Sequence, residues 1–461
     1  MKKILLVLLL GITVTSCRVG PKYSRPKLDP APSYVNKNEF VTEQDSVLNL
    51  KWFKLFGDDV LIGLIDTALK NNLNLKIAIA RIEEGRALYG FAKADLFPKI
   101  GYSATAGRNN VSDEIGLGKI DPASNYQALG NVSWEIDVWG KIRHSNRAAL
   151  NQLLSSIEGK KAVQSTLVSD VASLYFQLRD FDNRLDIAQS TVLSRQTYYD
   201  KMKARFQGGD ISELELLQSE QQLRDAQAAV PNFQRQVAFT EHALNVLLGQ
   251  RTLSINRGIK NVDQPLAPII PAGLPSTLLE QRPDVKFAEY IYVSEVERIG
   301  VAQALRFPSL SLTGVFGAAS NDLSTLTAGS AVTSQITGGL VGPIFNFGKN
   351  IRRVEAQRKV AEQSMYRYVN TYLIALADVE NSLVAVQTFR TEYEARQLQF
   401  EAARKNLELS RARYDNGFTS YLEVLIAESN LFSASLSASS VRAQQLSASV
   451  TLYRSLGGGW E

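Results

Sequence analysis

The sequence predicts a mainly α-helical chain that also carries membrane-type β-strands, laid out as one design written twice. Three observations predict this. The chain repeats itself at a spacing of about 208 residues: Phe97-Pro98 returns as Phe307-Pro308, Trp139-Gly140-Lys141 as Phe347-Gly348-Lys349, and Arg205-Phe206-Gln207-Gly208-Gly209 as Arg413-Tyr414-Asp415-Asn416-Gly417. Each copy holds a long proline-free stretch with apolar residues in heptad rhythm. Between each Phe-Pro and each Gly-Lys, the apolar period drops to two.

The first residues read as an export signal. Lys2 and Lys3 precede the apolar run Ile4 to Ile12, which is too short to cross a bilayer, and Val14-Thr15-Ser16 then leads into Cys17 in the manner of a bacterial lipobox. Cys17 is the only cysteine, so no disulfide can form within the chain and its expected use is as the acylated first residue of the mature protein. Arg18 does not resemble the aspartate that keeps lipoproteins in the inner membrane, so outer-membrane delivery is expected. Loss of Lys2 and Lys3 with the signal lowers the formal charge from +5 to +3, and no dense Lys/Arg patch with interleaved aromatics appears. Nucleic acid is therefore not an expected partner.

After Pro98, Ile100, Tyr102, Ala104 and Ala106 alternate with small or polar residues, as do Tyr126, Ala128, Gly130, Val132, Trp134 and Ile136. The second copy gives Leu310, Leu312, Gly314, Phe316 and Ala318, then Ile336, Gly338 and Leu340. Strands of about ten residues with one apolar face have the span of a membrane barrel. One such hairpin alone also fits a soluble two-faced hairpin, but two in equivalent places behind an export signal favour the membrane. Four strands cannot close a barrel, so other copies of the chain must pair their edges.

The seam Leu167, Val171, Leu174, Leu178, Phe181, Leu185, Ala188, Val192 steps by four and three, and Ile351, Val354, Ala361, Met365, Tyr368, Tyr372, Ala375, Val379 repeats the rhythm. Only Gly159 interrupts either stretch, and the first seam weakens there at Lys160 and Gln164. Each long helix should end at a tight turn, with Gly209 and Gly417 suited to the left-handed position, and a second helix of about 40 residues should run back. Ser212 with Glu215, and Ser420 with Glu423, read as capping boxes at the start of those returning helices.

The histidines, His144 and His242, fall on predicted helices as packing or surface residues. No metal-ligand spacing, catalytic triad or phosphate loop is visible, so no enzyme, metal site or cofactor is expected.

The lipobox, Cys17-Arg18-Val19-Gly20-Pro21-Lys22-Tyr23, Trp52-Phe53-Lys54-Leu55-Phe56-Gly57, Arg282-Pro283-Asp284-Val285 and the duplicated Phe-Pro and Gly-Lys marks together resemble the TolC-like outer-membrane efflux family, in its lipidated NodT-type branch. The resemblance implies a homotrimer in which each protomer gives four strands to a 12-stranded barrel and two helical hairpins to a periplasmic tunnel. The implied function is a passive exit duct fed by a periplasmic adaptor and an inner-membrane pump of the resistance-nodulation-division type. Implied boundaries are a signal at 1–16; a lipidated segment at 17–60; a first repeat at 61–250, with a barrel hairpin near 99–137 and a tunnel hairpin near 141–249; and a Pro-rich connector at 251–283. A second repeat follows at 284–457, with a barrel hairpin near 309–345 and a tunnel hairpin near 349–457, and then a tail at 458–461.

In such ducts the hairpin ends meet the adaptor and close the tunnel. Here those ends are Gly208, Gly209 and Asp210 in one copy and Asn416, Gly417 and Phe418 in the other. Ile426 stands where relatives often carry a gate aspartate, which leaves Glu423 as the candidate gate carboxylate beside its capping role. Tyr414 matches a family gate tyrosine and also falls on the heptad seam, and Thr419 replaces a gate-bracing arginine, so no salt-linked latch is expected at 419. The other class of reading is a lipid-anchored coiled-coil scaffold or adhesin without a pore, which leaves the four period-two segments without purpose.

Overall fold

The computed structural model of the chain describes residues 19–28, 53, 56–109, 123–266 and 282–458. The signal segment, Cys17, much of the connector and the last three residues lie outside the described residues. In chain order come α1 (Asp59–Asn71), α2 (Leu73–Ala94), β1 (Lys99–Asn109), β2 (Ala123–Ile136), α3 (Lys141–Gln207), α4 (Glu213–Leu247), α5 (Pro283–Ala304), β3 (Ser309–Ser320), β4 (Val332–Val341), α6 (Lys349–Asp415) and α7 (Tyr421–Ser455).

The duplication is kept to the residue in its helices. Both α2 and α5 have 22 residues, α3 and α6 have 67, and α4 and α7 have 35. At the standard rise a 67-residue helix is about 100 Å long. The returning helices are shorter than the expected 40 or so residues because the caps use up the difference. Gly159 does not break α3, and Lys160 donates to Gln164 at 2.8 Å along the helix. Pro231 lies inside α4 without ending it, and it sits on an exposed face where the carbonyl it strands can turn to water.

The described residues form two compact units. The first, built from Arg81–Ile157 and Phe287–Val369 with the N-terminal strap, contains the sheet. Its order is β1-β2-β3-β4, all antiparallel, so β2 and β3 join the two repeats and β1 and β4 form the edges. The register puts Ile100 opposite Val132, Val132 opposite Gly314, and Gly314 opposite Ile336. By strand alternation, every apolar residue singled out above then falls on one face. Ser103, Thr105, Gln127, Asn131, Ser133, Ser311, Thr313, Gln335 and Thr337 fall on the other. At the base of the sheet, Trp139 stacks on Phe307 at 4.7 Å and donates its indole N–H to the Pro308 carbonyl at 2.7 Å. Thus the Trp-Gly-Lys mark of the first repeat meets the Phe-Pro mark of the second.

In the same unit the strap is held along α5 and the start of α3. The Val19 amide donates to the Trp139 carbonyl at 3.3 Å, and buried His144 lies between the Val19 carbonyl (3.0 Å) and Glu297 (2.5 Å). Tyr23 donates to Glu289 at 2.7 Å, and Arg25 grips the same carboxylate at 2.8 and 2.9 Å.

The second unit carries the main apolar core, in which Phe56, Leu61 and Ile65 meet Leu167, Val171, Tyr175, Leu178, Val379 and Leu383. Of the predicted seam, Leu167, Val171, Leu178, Ala188, Tyr372, Ala375 and Val379 are buried there, and Val354, Ala361 and Tyr368 are buried in the first unit, where Ile351 is 51% exposed. Asp58 caps α1 through Val60 and Leu61, and it accepts from the Tyr175 hydroxyl at 2.7 Å and from the Ile259 amide at 3.1 Å. A Cβ on Gly258 would lie 2.2 Å from that carboxylate, so only glycine fits where the connector crosses Asp58.

The returning helices of both repeats end on equivalent positions, where different chemistry does one job. Asn72 caps α2 through the Leu75 amide and donates to the Leu247 carbonyl at 2.8 Å, at the end of α4. In the second repeat, Arg282 at the head of α5 donates to the Ser455 carbonyl at 3.0 Å, at the end of α7, and to Ala375 at 3.4 Å, and it pairs with Asp284 and Asp378. Burial alone would pull the Arg282 guanidinium down, but the Asp284 and Asp378 carboxylates overcome this and hold it above its ordinary value. Asp170, the repeat counterpart of Asp378, is pushed up by burial, with Arg454 opposing. Arg282→Met should weaken the end of α7 by about 3 kcal/mol, because charged hydrogen bonds to buried carbonyls are lost. Asn72→Ala should cost the end of α4 about 1 kcal/mol. Site-resolved hydrogen exchange over the last turns of the two helices checks the contrast.

Candidate functional site

The two hairpin ends, all within the second unit, are built from one local recipe. At the end of α3 the Asp210 amide returns to the Arg205 carbonyl at 2.9 Å, with Gly209 at φ 79°; at the end of α6 the Phe418 amide returns to Arg413 at 2.9 Å, with Gly417 at φ 73°. These are Schellman closures, in which glycine takes the left-handed position that a Cβ would strain. Gly208, Gly209, Asp210, Asn416, Gly417 and Phe418 are all exposed, Phe418 at 76%.

The next turns differ. Ser212 and Glu215 form the expected capping box: the Ser212 hydroxyl accepts from the Glu215 amide at 3.3 Å, and Glu215 accepts from the Ser212 amide at 3.0 Å. Ser420 and Glu423 do not, since the Ser420 side chain makes no cap bond. There the Glu423 amide donates to the Ser420 carbonyl at 3.3 Å instead. Arg205 lies over the Tyr414 ring at 5.3 Å, whereas its counterpart Arg413 lies 4.0 Å from the Glu423 carboxylate. Glu423 is half-exposed, so this pair adds little to stability.

Behind the tips the hairpins are joined by an aromatic cluster. Tyr198 stacks on Tyr421 at 5.8 Å and Tyr414 meets Tyr421 at 5.5 Å, with Met202, Leu407, Val424 and Ala427 around them. Arg411 lies over Tyr198 at 5.3 Å, pairs with buried Glu428 at 2.6 Å and reaches Ser194 at 3.3 Å. The Tyr414 hydroxyl donates to Glu215 at 3.3 Å, and Lys201 pairs with Asp415 at 2.7 Å. Tyr414 is therefore both a core residue and a link between repeats. Burial pushes the Tyr198, Tyr414 and Tyr421 phenols up, and neighbouring carboxylates add to it at each, so the cluster stays neutral through the physiological range. The exposed Lys201–Asp415 pair is worth at most about 1 kcal/mol. Each aromatic pair adds roughly 0.5–1.5 kcal/mol beyond the area it buries, so packing dominates the joint.

Sequence reasoning found Tyr414, Glu215 and the tips but missed Tyr198, Lys201, Arg411 and Glu428. The Tyr421 to Glu428 step of seven, which puts both on one face of α7, was the available signal. His144 is fully buried and His242 exposed, and among the described residues no group of His, Cys, Asp and Glu is arranged to hold a metal.

A sheet with one apolar and one hydroxyl-rich face, paired with two helical hairpins of this length, is the build of an outer-membrane channel protomer. The chain belongs to the outer membrane efflux protein family, which it matches over residues 64–250 and again over 274–458, once for each repeat. It is 31% identical to the toluene efflux pump outer membrane protein TtgF of Pseudomonas putida, over all of this chain and 98% of the relative. It is 30% identical to the cation efflux system protein CusC of Escherichia coli, over 99% of both. Among solved structures, the CmeC outer membrane channel of Campylobacter jejuni superposes with a TM-score of 0.91 at 27% identity, over 96% of each chain. The fold is that of the TolC-like outer-membrane channels, and the protein is an outer-membrane efflux channel.

The asymmetric caps give a test. Ser212→Ala should raise amide exchange in the first turn of α4 by the equivalent of about 1 kcal/mol, while Ser420→Ala should leave the first turn of α7 nearly unchanged. Equal effects at both sites would contradict the cap geometry.

Proposed function

We propose that three copies of this chain close one 12-stranded barrel and act as the passive exit duct of a tripartite system, receiving cargo through a periplasmic adaptor from an inner-membrane pump of the resistance-nodulation-division type. No catalytic step is needed. The observation that carries the reading is the sheet: one apolar face, one polar face and two unpaired edges. Backbone edges in hydrocarbon must be paired, and four strands are too few to close on themselves. The β2–β3 joint offers a template. Val132 faces Gly314 there, and the repeat counterparts of these residues are Leu340 and Ala104. Carrying the joint over sets β4 of one copy against β1 of the next with Leu340 opposite Ala104, which keeps every apolar side chain on the apolar face. In the same transfer, Phe347, 89% exposed, takes the place of Trp139, and Phe97, 60% exposed, takes the place of Phe307.

We place the lipid anchor at Cys17, as in the lipidated NodT-type branch. Cys17 lies two residues before Val19 in the sequence, and outer-membrane lipid would hold its acyl chains. The tips Gly208–Asp210 and Asn416–Phe418 face the adaptor, and the tyrosine cluster is the closure that opening must break. Hydroxyls of Tyr198 and Tyr421 have no partner inside the cluster, so separation hydrates them and offsets part of the lost packing. Glu423 is the gate carboxylate in this reading, because Glu428 is buried against Arg411 whereas Glu423 is half-exposed. Relatives of similar identity are named for toluene and for cations, so the duct itself does not define the cargo.

Purified protein in planar bilayers should conduct, and it should migrate as a trimer that heating dissociates; a soluble, non-conducting trimer would favour the scaffold reading instead. Tyr414→Ala combined with Lys201→Ala should raise conductance severalfold, and linking the tips through Gly417→Cys should abolish the gain. Leu340→Cys should crosslink between copies to Ala104→Cys, and neither to Tyr102→Cys nor to Ala106→Cys.

A further inference from the structure

Between α3, α6 and α7 in the second unit lies a cavity of about 590 Å³ that borders the tyrosine cluster through Leu407, Arg411 and Glu428. This is within the volume range of small-molecule sites. One side is apolar, formed by Ile187, Phe400, Leu407, Leu431 and Phe432. Its charged lining is Arg195, Arg404 and Arg411 against the single carboxylate Glu428. Asp225, mostly exposed, meets Arg195 from outside this lining at 3.3 Å, and Glu401 likewise meets Arg404 at 2.6 Å.

Arg195 is the unusual member. Its side chain is only 3% exposed, yet of its three nitrogens only Nη1 is bonded, to the Gln222 carbonyl at 2.6 Å and to Asp225. Nε and Nη2 are buried without a partner, as is Nε of Arg411, which reaches Ser194, the residue next to Arg195. The Arg195 guanidinium lies over the Phe432 ring at 5.3 Å, so a π-face meets part of its charge but supplies no acceptor. A buried guanidinium with open donors is costly, and it is met best by a carboxylate or sulfonate that takes two N–H bonds at once.

We propose that this cavity binds an amphiphilic organic anion, with its acidic group at Arg195 and Arg411 and its apolar body along Phe400, Leu407 and Leu431. The walls come from both tunnel hairpins, so the ligand ties α3 to α6 and α7. Occupancy therefore stabilises the protein against heat as well as filling the site.

Titration calorimetry tests this with 1-naphthoate and the full-length protein in lipid nanodiscs, with empty nanodiscs as the blank. The expected result is saturable binding at one naphthoate per protomer, a raised melting temperature, and at least tenfold weaker binding of the neutral analogue 1-naphthalenemethanol. Arg195→Met keeps an apolar side chain beside Phe432 and removes the charge and the donors, and it should weaken naphthoate at least tenfold. Leu431→Trp fills the apolar end and should do the same, so the test stands if one variant does not fold. Equal affinity for the neutral analogue, absence of saturable binding, or naphthoate binding that survives either folded variant would each overturn the proposal.

Discussion

Backbone hydrogen bonding at a sheet edge is the constraint on which the rest of this structure depends. Water is absent from the hydrocarbon core, so a strand there must find its partners in protein. This chain satisfies two of its strands internally, through the β2–β3 joint, and leaves β1 and β4 with one open side each. In the proposed trimer, the joint that unites the repeats within a protomer is reused between protomers. Trp139 on Phe307 is the internal form of that joint. Phe347 and Phe97 are its exposed counterparts.

The same economy runs through the helical hairpins, where equal lengths keep equivalent residues level with one another. Local chemistry is then free to differ between the repeats. Asn72 and Arg282 both hold the end of a returning helix, one as an amide and one as a guanidinium tied to two carboxylates. At the opposite ends, one returning helix closes a capping box and the other does not. Pseudo-symmetry sets the frame, and local chemistry breaks it at these two places.

Behind the tips, the aromatic cluster outweighs the ion pairs that decorate it. A half-exposed pair such as Lys201 and Asp415 is screened by solvent, whereas Tyr198, Tyr414 and Tyr421 exclude it. The joint between the hairpins is thus carried by packing more than by charge.

The sequence alone determined the architecture, because periodicity and spacing are local properties. The heptad seams, the period-two strands, the paired tip glycines and the equal repeat lengths all follow from residues that act on their near neighbours along the chain. Tertiary structure decided which side chains meet. It formed the Ser212 box and left the Ser420 box open, though the two read alike, since at the second the Glu423 amide turns to the Ser420 carbonyl. It also assembled Tyr198 with Tyr421, and Arg195 with Arg411, from helices far apart in sequence. No pattern within one helix encodes such a meeting, since it depends on how two faces are brought together.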